Sequence, residues 1–69
     1  MKFLRLEQHM NGGTQKIFIN IEHISCIEPR WSGYSDITLF NGYTYIGILG
    51  DAEELTNTVE NYFEEMEKK

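Results

Sequence analysis

Histidine, cysteine and carboxylate side chains are the residues of this chain that could take part in catalysis or bind a metal. The candidates are His9, His23, the single cysteine Cys26 and scattered acids. A zinc site needs about four ligands at a recognisable spacing, which these residues lack. A nucleophile or an acid–base pair needs a pocket, for which 69 residues leave little room. The sequence therefore predicts a protein that is not an enzyme, with no catalytic residue, no metal site and no cofactor.

Each of these residues also has a structural interpretation. His9 lies beside a glycine-rich turn and His23 lies within a turn, so both are expected to be exposed. Cys26 shares a predicted strand face with Ile24, where a free cysteine usually behaves as a small buried apolar residue. The run Asn-Gly-Gly at 11–13 precedes a strand rather than a helix, which indicates a turn and not a phosphate-binding loop.

A C-terminal helix is indicated by apolar residues that recur every three or four positions between residues 51 and 67. They lie on one stripe of a helix, which comprises Ala52, Leu55, Val59, Tyr62, Phe63 and Met66. Asp51 and Glu54 have the spacing of a capping box. Because so short a helix is marginal in water, its stripe must pack against something else, and we expect a sheet.

Residues 1–50 contain about five β-prone segments with short connections, which predicts an α+β fold. The expected sheet is an antiparallel β-meander, and whether it curls into a barrel-like shape is left open. A turn at residues 20–23 precedes a strand at 24–28, Pro29 ends that strand, and Asn41-Gly42 forms a two-residue hairpin turn. The whole chain, residues 1–69, is predicted to be one domain, with the sheet at 1–50 and the helix at 51–67.

Alternation along the strands predicts an aliphatic side and an aromatic side. A two-residue turn at Asn41-Gly42 pairs Phe40 with Tyr43 and Thr38 with Tyr45. The aliphatic side, suited to the helix, then carries Ile37, Leu39, Thr44, Ile46 and Ile48. The other side carries Asp36, Thr38, Phe40, Tyr43, Tyr45 and Gly47. In the first hairpin, the same alternation separates Leu4, Leu6, Ile17 and Ile19 from Phe3, Arg5, Lys16 and Phe18.

One helix can cover only one face of a sheet, and soluble monomers rarely expose large apolar patches. The aromatic side is therefore predicted to be a partner-binding or oligomer interface, formed by Phe3, Phe18, Trp31, Tyr34, Phe40, Tyr43 and Tyr45. Three explanations stay open: burial inside a curled sheet, packing between copies in a homo-oligomer, or binding of another molecule.

For another molecule, a protein partner is favoured, because tyrosine, tryptophan and arginine are common at interfaces. Single-stranded nucleic acid is the alternative, with bases stacked on the rings and phosphates bound by Arg5, Lys16 and Arg30.

Charge divides unevenly along the chain, whose net charge is -5. Residues 1–50 hold four basic and four acidic side chains, whereas residues 51–69 hold seven acids and two lysines. An acidic strip of this kind is typical of a solvated helix face.

One unpaired cysteine, no long apolar run and no leader before a cleavage site predict a soluble, cytoplasmic protein without membrane insertion.

Several short motifs between roughly residues 15 and 63 occur in an order that resembles a known family. They are Ile17-Phe18-Ile19-Asn20, Ile24, Ile27-Glu28, Ile37-Thr38-Leu39, Asn41-Gly42, Tyr45 and Glu53-Glu54-Leu55. This order resembles the FlbD/SwrD-type small bacterial proteins associated with flagellar and swarming motility. The chain departs from the family at Ile21, where proline is usual, and at residues 47–51, where the join is usually more polar. The resemblance implies a connection with bacterial motility.

Overall fold

The computed structural model describes residues 2–68 and contains five strands, a 3-10 turn and one α-helix. The strands are β1 (Phe3–Met10), β2 (Gly13–Asn20), β3 (Ile24–Pro29), β4 (Tyr34–Leu39) and β5 (Thr44–Leu49). The turn Ile21–His23 joins β2 to β3, and the helix α1 spans Ala52–Glu67. Every strand pair is antiparallel, which confirms the predicted α+β fold of a five-stranded antiparallel sheet followed by one C-terminal helix.

The order of strands across the sheet is β2-β1-β5-β4-β3. The hairpin of β1 and β2 thus lies beside the meander of β3, β4 and β5. Although β2 and β3 are consecutive in the chain, they occupy opposite edges and are joined by only three residues. The two edges must therefore converge at this end, which makes the sheet curl. No strand pairing joins β2 to β3, so the sheet is not a closed barrel.

The connection between β2 and β3 is held by backbone and side-chain hydrogen bonds. The Ile21 amide donates to the Lys2 carbonyl at 2.9 Å, and the Glu22 amide donates to Asn20 Oδ1 at 3.0 Å. Ile21 is fully buried. The turn predicted at residues 20–23 is therefore present. It contains Ile21, the first of three isoleucines (Ile21, Ile24 and Ile27) spaced three positions apart, so only the other two lie in β3.

A bulge in β3 places the other two isoleucines on the same side. Ile24 pairs with Leu39, but Cys26 pairs with Thr38, so one extra residue is accommodated at position 25. The bulge brings Ile24 and Ile27 together against the core. Cys26 points to the other side and is exposed, so the prediction of a buried Cys26 on the face of Ile24 is wrong.

The hairpin between β4 and β5 has a three-residue loop rather than the predicted two-residue turn. The Leu39 amide donates to the Tyr43 carbonyl at 2.8 Å, and Gly42 has φ +93°. A glycine in this left-handed conformation is typical of three-residue hairpin loops. The loop moves the register by one residue, so that Ile37 pairs with Tyr45 and Thr38 with Thr44.

This register corrects the predicted faces. Tyr45 turns to the inner side with Ile37 and packs against the core, whereas Thr44 turns outward with Thr38. Ile46, predicted on the side of the helix, is half exposed. The wrong assignments have one cause, because a one-residue shift in pairing moves every following side chain to the other face.

A second bulge, in β5, restores the inner face before the strand ends. Ser35 pairs with Ile48 while Ile37 pairs with Tyr45, so Asp36 faces the two residues Ile46 and Gly47. Gly47 has φ +75°. The extra residue allows Tyr45 and Ile48, three positions apart, to face the same core.

The inner side of the curled sheet holds the core. Its buried apolar residues are Leu4, Ile17, Ile19, Ile21, Ile37, Ile48 and Leu55. In the first hairpin, Leu4 pairs with Ile19 and Leu6 with Ile17, so these four residues share one face, as the alternation predicted.

The apolar stripe of the helix is most deeply buried near its N-terminus. Asp51 accepts hydrogen bonds from the Glu53 and Glu54 amides and caps the N-terminus. Leu55 enters the core, and α1 packs mainly against β3, while Phe63 and Met66 are exposed.

Replacing Gly47 by alanine should lower the free energy of unfolding by roughly 1–2 kcal/mol, because a left-handed backbone is costly for a residue with a Cβ. A Cβ at this position would meet His9 only at ordinary contact distance, so the cost is conformational. Urea denaturation measures the effect. Gly47→Asn is the matched control and should lose less, since asparagine tolerates this conformation. Equal stability of wild type and Gly47→Ala would contradict the bulge.

Leu55→Ala should lower the free energy of unfolding by about 2–4 kcal/mol, because it leaves a cavity beneath the helix. Phe63→Ala, further along the same helix, should cost much less, since Phe63 is already 38% exposed. Thermal or urea unfolding of both variants checks the difference. A comparable loss in the two proteins would show that the C-terminal half of the helix is packed as tightly as its first turn.

Candidate interaction surface

The outer face of the sheet, the side away from the buried isoleucines, is where most of the predicted interface residues lie. Five aromatic side chains of the predicted set are at least half exposed: Phe3, Phe18, Trp31, Phe40 and Tyr43. Tyr34 is partly buried. Tyr45, the seventh residue of the set, belongs to the inner side and packs against the core. Tyr43 lies on the same side as Tyr45, because it pairs with Leu39, so its predicted place on the outer face is wrong although it is exposed.

The exposed aromatic residues form three separate groups. Phe3 and Phe18 are diagonal neighbours, because Phe3 pairs with Asn20 and Phe18 pairs with Arg5. Phe40 and Tyr43 lie at the tip of the β4–β5 hairpin. The third group, Trp31 and Tyr34, lies at the loop before β4 and the start of that strand.

The central group contains three rings in sequence. The Trp31 and Tyr34 ring centroids are 5.4 Å apart, and those of Tyr34 and His9 are 5.9 Å apart in an edge-to-face arrangement. The Arg30 guanidinium carbon lies 5.0 Å from the centroid of Trp31, a distance typical of a cation–π contact. Leu49, which pairs with Tyr34 across the strands, adds an exposed aliphatic side chain. We name His9, Arg30, Trp31, Tyr34 and Leu49 the central cluster.

An ion pair links the central cluster to the bulge in β5. Arg30 Nε donates to Asp36 Oδ1 at 2.7 Å, and the Gly47 amide donates to the same oxygen at 3.1 Å. The hydrogen bond from Arg30 is the main reason that the pKa of Asp36 is lowered, and the Gly47 amide lowers it further. The same hydrogen bond raises the pKa of Arg30. Asp36 therefore orients Arg30, and Arg30 lies over the ring of Trp31.

Hydrogen bonds and a ring contact hold the hairpin-tip group, Phe40 and Tyr43, in place. The Phe40 amide donates to the His23 carbonyl at 2.9 Å, and Asn41 Oδ1 accepts from the Tyr43 amide at 2.9 Å. The Tyr43 and Tyr45 rings meet edge to face, with centroids 4.7 Å apart. Phe40 itself remains 74% exposed and makes no ring contact with another aromatic among the described residues.

The groups are too far apart to form one small site. Phe3 and His9 are six positions apart on β1, which is about 20 Å along a strand. Tyr34 and Phe40 are also six positions apart. Because the sheet curls toward its inner side, the outer face is convex, and this spreads the groups further.

Sequence reasoning missed the part of the site that holds Trp31 in place. Arg30 and Asp36 flank a glycine-containing loop, and opposite charges at the two ends of such a loop were the available signal. His9, interpreted as an exposed turn residue, is exposed but contacts Tyr34. The proximity of His9 depends on the pairing of β1 with β5, two strands far apart in the chain.

Among residues 2–68, no group of three or more histidine, cysteine or acidic side chains is placed to hold a metal ion. Within the same residues, the single helix is too short and too polar to cross a membrane.

Comparison with protein-family profiles, with curated proteins and with solved structures finds no significant match to this chain. The resemblance to FlbD/SwrD-type proteins therefore stays a prediction, carried by the motifs quoted above.

Trp31 is the only tryptophan, so its fluorescence reports on the central cluster. The pKa of Asp36 is below its ordinary value of 3.8, so the stabilisation from its ion pair is complete above pH 3.8 and is lost as the pH falls through the lowered pKa. In wild type, we expect a fluorescence change in acid with a midpoint below pH 3.8, and no such transition in Asp36→Asn. Far-UV circular dichroism separates this titration from unfolding. An identical acid transition in Asp36→Asn would show that another group causes it.

Proposed function

We propose that this protein is a non-enzymatic interaction module that binds a protein partner through the outer face of its sheet. The observation that carries the proposal is the central cluster, in which Trp31 and Tyr34 adjoin the exposed Leu49. Trp31 is half exposed, although it contacts both Arg30 and Tyr34. The helix packs mainly against β3 and leaves the cluster uncovered.

The held position of Trp31 favours binding energetically. A partner gains most from an aromatic side chain that is already ordered, because little rotamer freedom is then lost on association. Tryptophan, tyrosine and arginine are also the residues most enriched among those that dominate binding energy at protein interfaces. The Arg30–Asp36 ion pair supplies that order without a large buried core.

The cations of the outer face support a protein partner over single-stranded nucleic acid. Arg30 is paired with Asp36, and Lys16 lies opposite Glu7 on the neighbouring strand. Phosphate binding needs cations that are free to replace counterions, and adjacent carboxylates oppose it. Arg5, opposite Phe18, has no acid directly across from it. A single such cation gives weak support to the nucleic-acid alternative.

The cellular setting is part of the same proposal. Cys26 is an exposed free thiol, which is typical of proteins in a reducing compartment and supports a cytoplasmic location as part of the proposal. The resemblance to FlbD/SwrD-type proteins supports a partner that takes part in bacterial motility.

The test compares wild type with Trp31→Ala and Tyr34→Ala as immobilised baits, using an extract of the source organism and quantitative mass spectrometry. We expect at least one protein to bind wild type and to be depleted more than tenfold with either variant, because truncating a central aromatic residue commonly costs about 2 kcal/mol or more. Phe40→Ala is the matched control, since it removes a more exposed aromatic from the distant hairpin tip.

A parallel titration tests the alternative. Labelled single-stranded RNA and DNA are added to wild type at low salt, where phosphate contacts are strongest. Binding that Arg5→Ala abolishes and Trp31→Ala weakens would overturn the protein-partner proposal. In the bait experiment, capture of the same proteins by wild type and all three variants would also overturn the protein-partner proposal.

A further inference from the structure

The strand β2 forms an unpaired edge of the sheet. It pairs with β1 along its whole length of eight residues, from Phe3–Asn20 to Met10–Gly13, without a bulge. Within residues 2–68, no strand pairs with its other side. The opposite edge, β3, is irregular and is packed against by α1. Long, regular and uncovered edges are rare in monomers, because they are templates for pairing with another strand.

The backbone groups of β2 that face away from β1 can be assigned. The Ile21 amide donates to the Lys2 carbonyl, in continuation of the β1–β2 ladder. Because N–H and C=O groups of successive residues point in opposite directions along a strand, Ile17 and Ile19 share this direction toward β1. Lys16 and Phe18 therefore turn their backbone donors and acceptors away from β1.

We propose that two copies of this chain pair through β2 in an antiparallel manner, about a two-fold axis at Phe18, to form a continuous ten-stranded sheet. In this register, Phe18 lies opposite Phe18 of the second copy. Ile17 lies opposite Ile19 of the second copy, and Lys16 lies opposite Asn20. The hydrogen-bonded pairs use the outward backbone groups of Lys16 and Phe18.

The register is complementary on both faces. On the inner face, Ile17 and Ile19 are already buried at 9% and 3% exposure, so the pairing places apolar residues opposite each other and adds little burial there. On the outer face, Phe18 is 59% exposed, and a cross-strand contact between two phenylalanines covers part of it.

Charge favours a second copy at this edge. Lys16 is the only charged residue of β2, and the first fifty residues carry no net charge. The acidic residues are concentrated in the helix, which packs against the opposite edge strand. Pairing through β2 thus keeps the acidic helices of the two copies apart. Pairing through β3 would bring them together, and their like charges would repel.

The dimer is independent of the proposed protein partner, because β2 contributes no residue to the central cluster. It would place two outer faces on one sheet, and a partner with two copies of its binding segment would then bind bivalently.

Sedimentation equilibrium of wild type, Lys16→Pro and Lys16→Ala tests the pairing. Proline removes the outward N–H of residue 16, whereas alanine removes the side chain and keeps that N–H. Edge strands tolerate proline where the N–H faces solvent, so far-UV circular dichroism should show both variants folded. We expect a dimer for wild type and Lys16→Ala, with Kd raised at least about tenfold in Lys16→Pro, since each dimer loses two hydrogen bonds. A monomeric wild type, or a dimer unaffected by Lys16→Pro, would overturn the proposal.

Disulfide cross-linking tests the register and remains informative if the proline variant unfolds. In a Cys26→Ser background, Phe18→Cys places two thiols directly opposite each other, within the Cα separation of about 7 Å that a disulfide permits. Thr14→Cys is the matched control on the same side of the same strand. In the proposed register, its two copies are eight residues apart along the strands, about 27 Å. Mild oxidation should cross-link only the Phe18→Cys protein, and equal cross-linking of both variants would contradict the register.

Discussion

The connection between β2 and β3 constrains the whole molecule. Three residues join the two edges of a five-stranded sheet, so the sheet has to curl until those edges converge. Ile21 within the connection is fully buried, and its amide bonds to the carbonyl of Lys2, which ties the chain to the first strand. The curl gathers a few isoleucines into a core that one helix can complete with Leu55. It also makes the other face convex and leaves it in solvent.

Local backbone irregularities then decide which side chains reach each face. The bulges in β3 and β5 bring Ile24 together with Ile27 and Tyr45 together with Ile48 on the inner side. The same bulge in β5 presents the Gly47 amide to Asp36, which holds Arg30 against Trp31. The core and the candidate interaction surface therefore depend on the same irregularity. A regular β5 would change both.

The helix completes the core without covering much of the sheet. Only Leu55 is buried among its residues, and Tyr62 is anchored further along by a hydrogen bond from its hydroxyl to Glu22 at 2.6 Å. This bond raises the pKa of Tyr62, because it favours the protonated hydroxyl. A domain of this size buries a smaller fraction of its surface than larger domains do. Pairing of the β2 edge would add to that burial where the helix cannot.

The sequence by itself determined the elements: the five strands, the turn before Ile24, the capped helix and the alternation of Leu4, Ile17 and their neighbours. These follow from interactions between residues close in the chain, such as turn geometry, capping and periodic burial. Only the tertiary structure decided that Tyr45 faces inward, that Cys26 is exposed and that His9 contacts Tyr34. The hairpin loop length and the bulges shift the register by single residues, and each shift reverses a face. β1 and β5 are far apart in the chain, so no local interaction specifies their pairing. That pairing depends on the curl that the short β2–β3 connection imposes on the sheet.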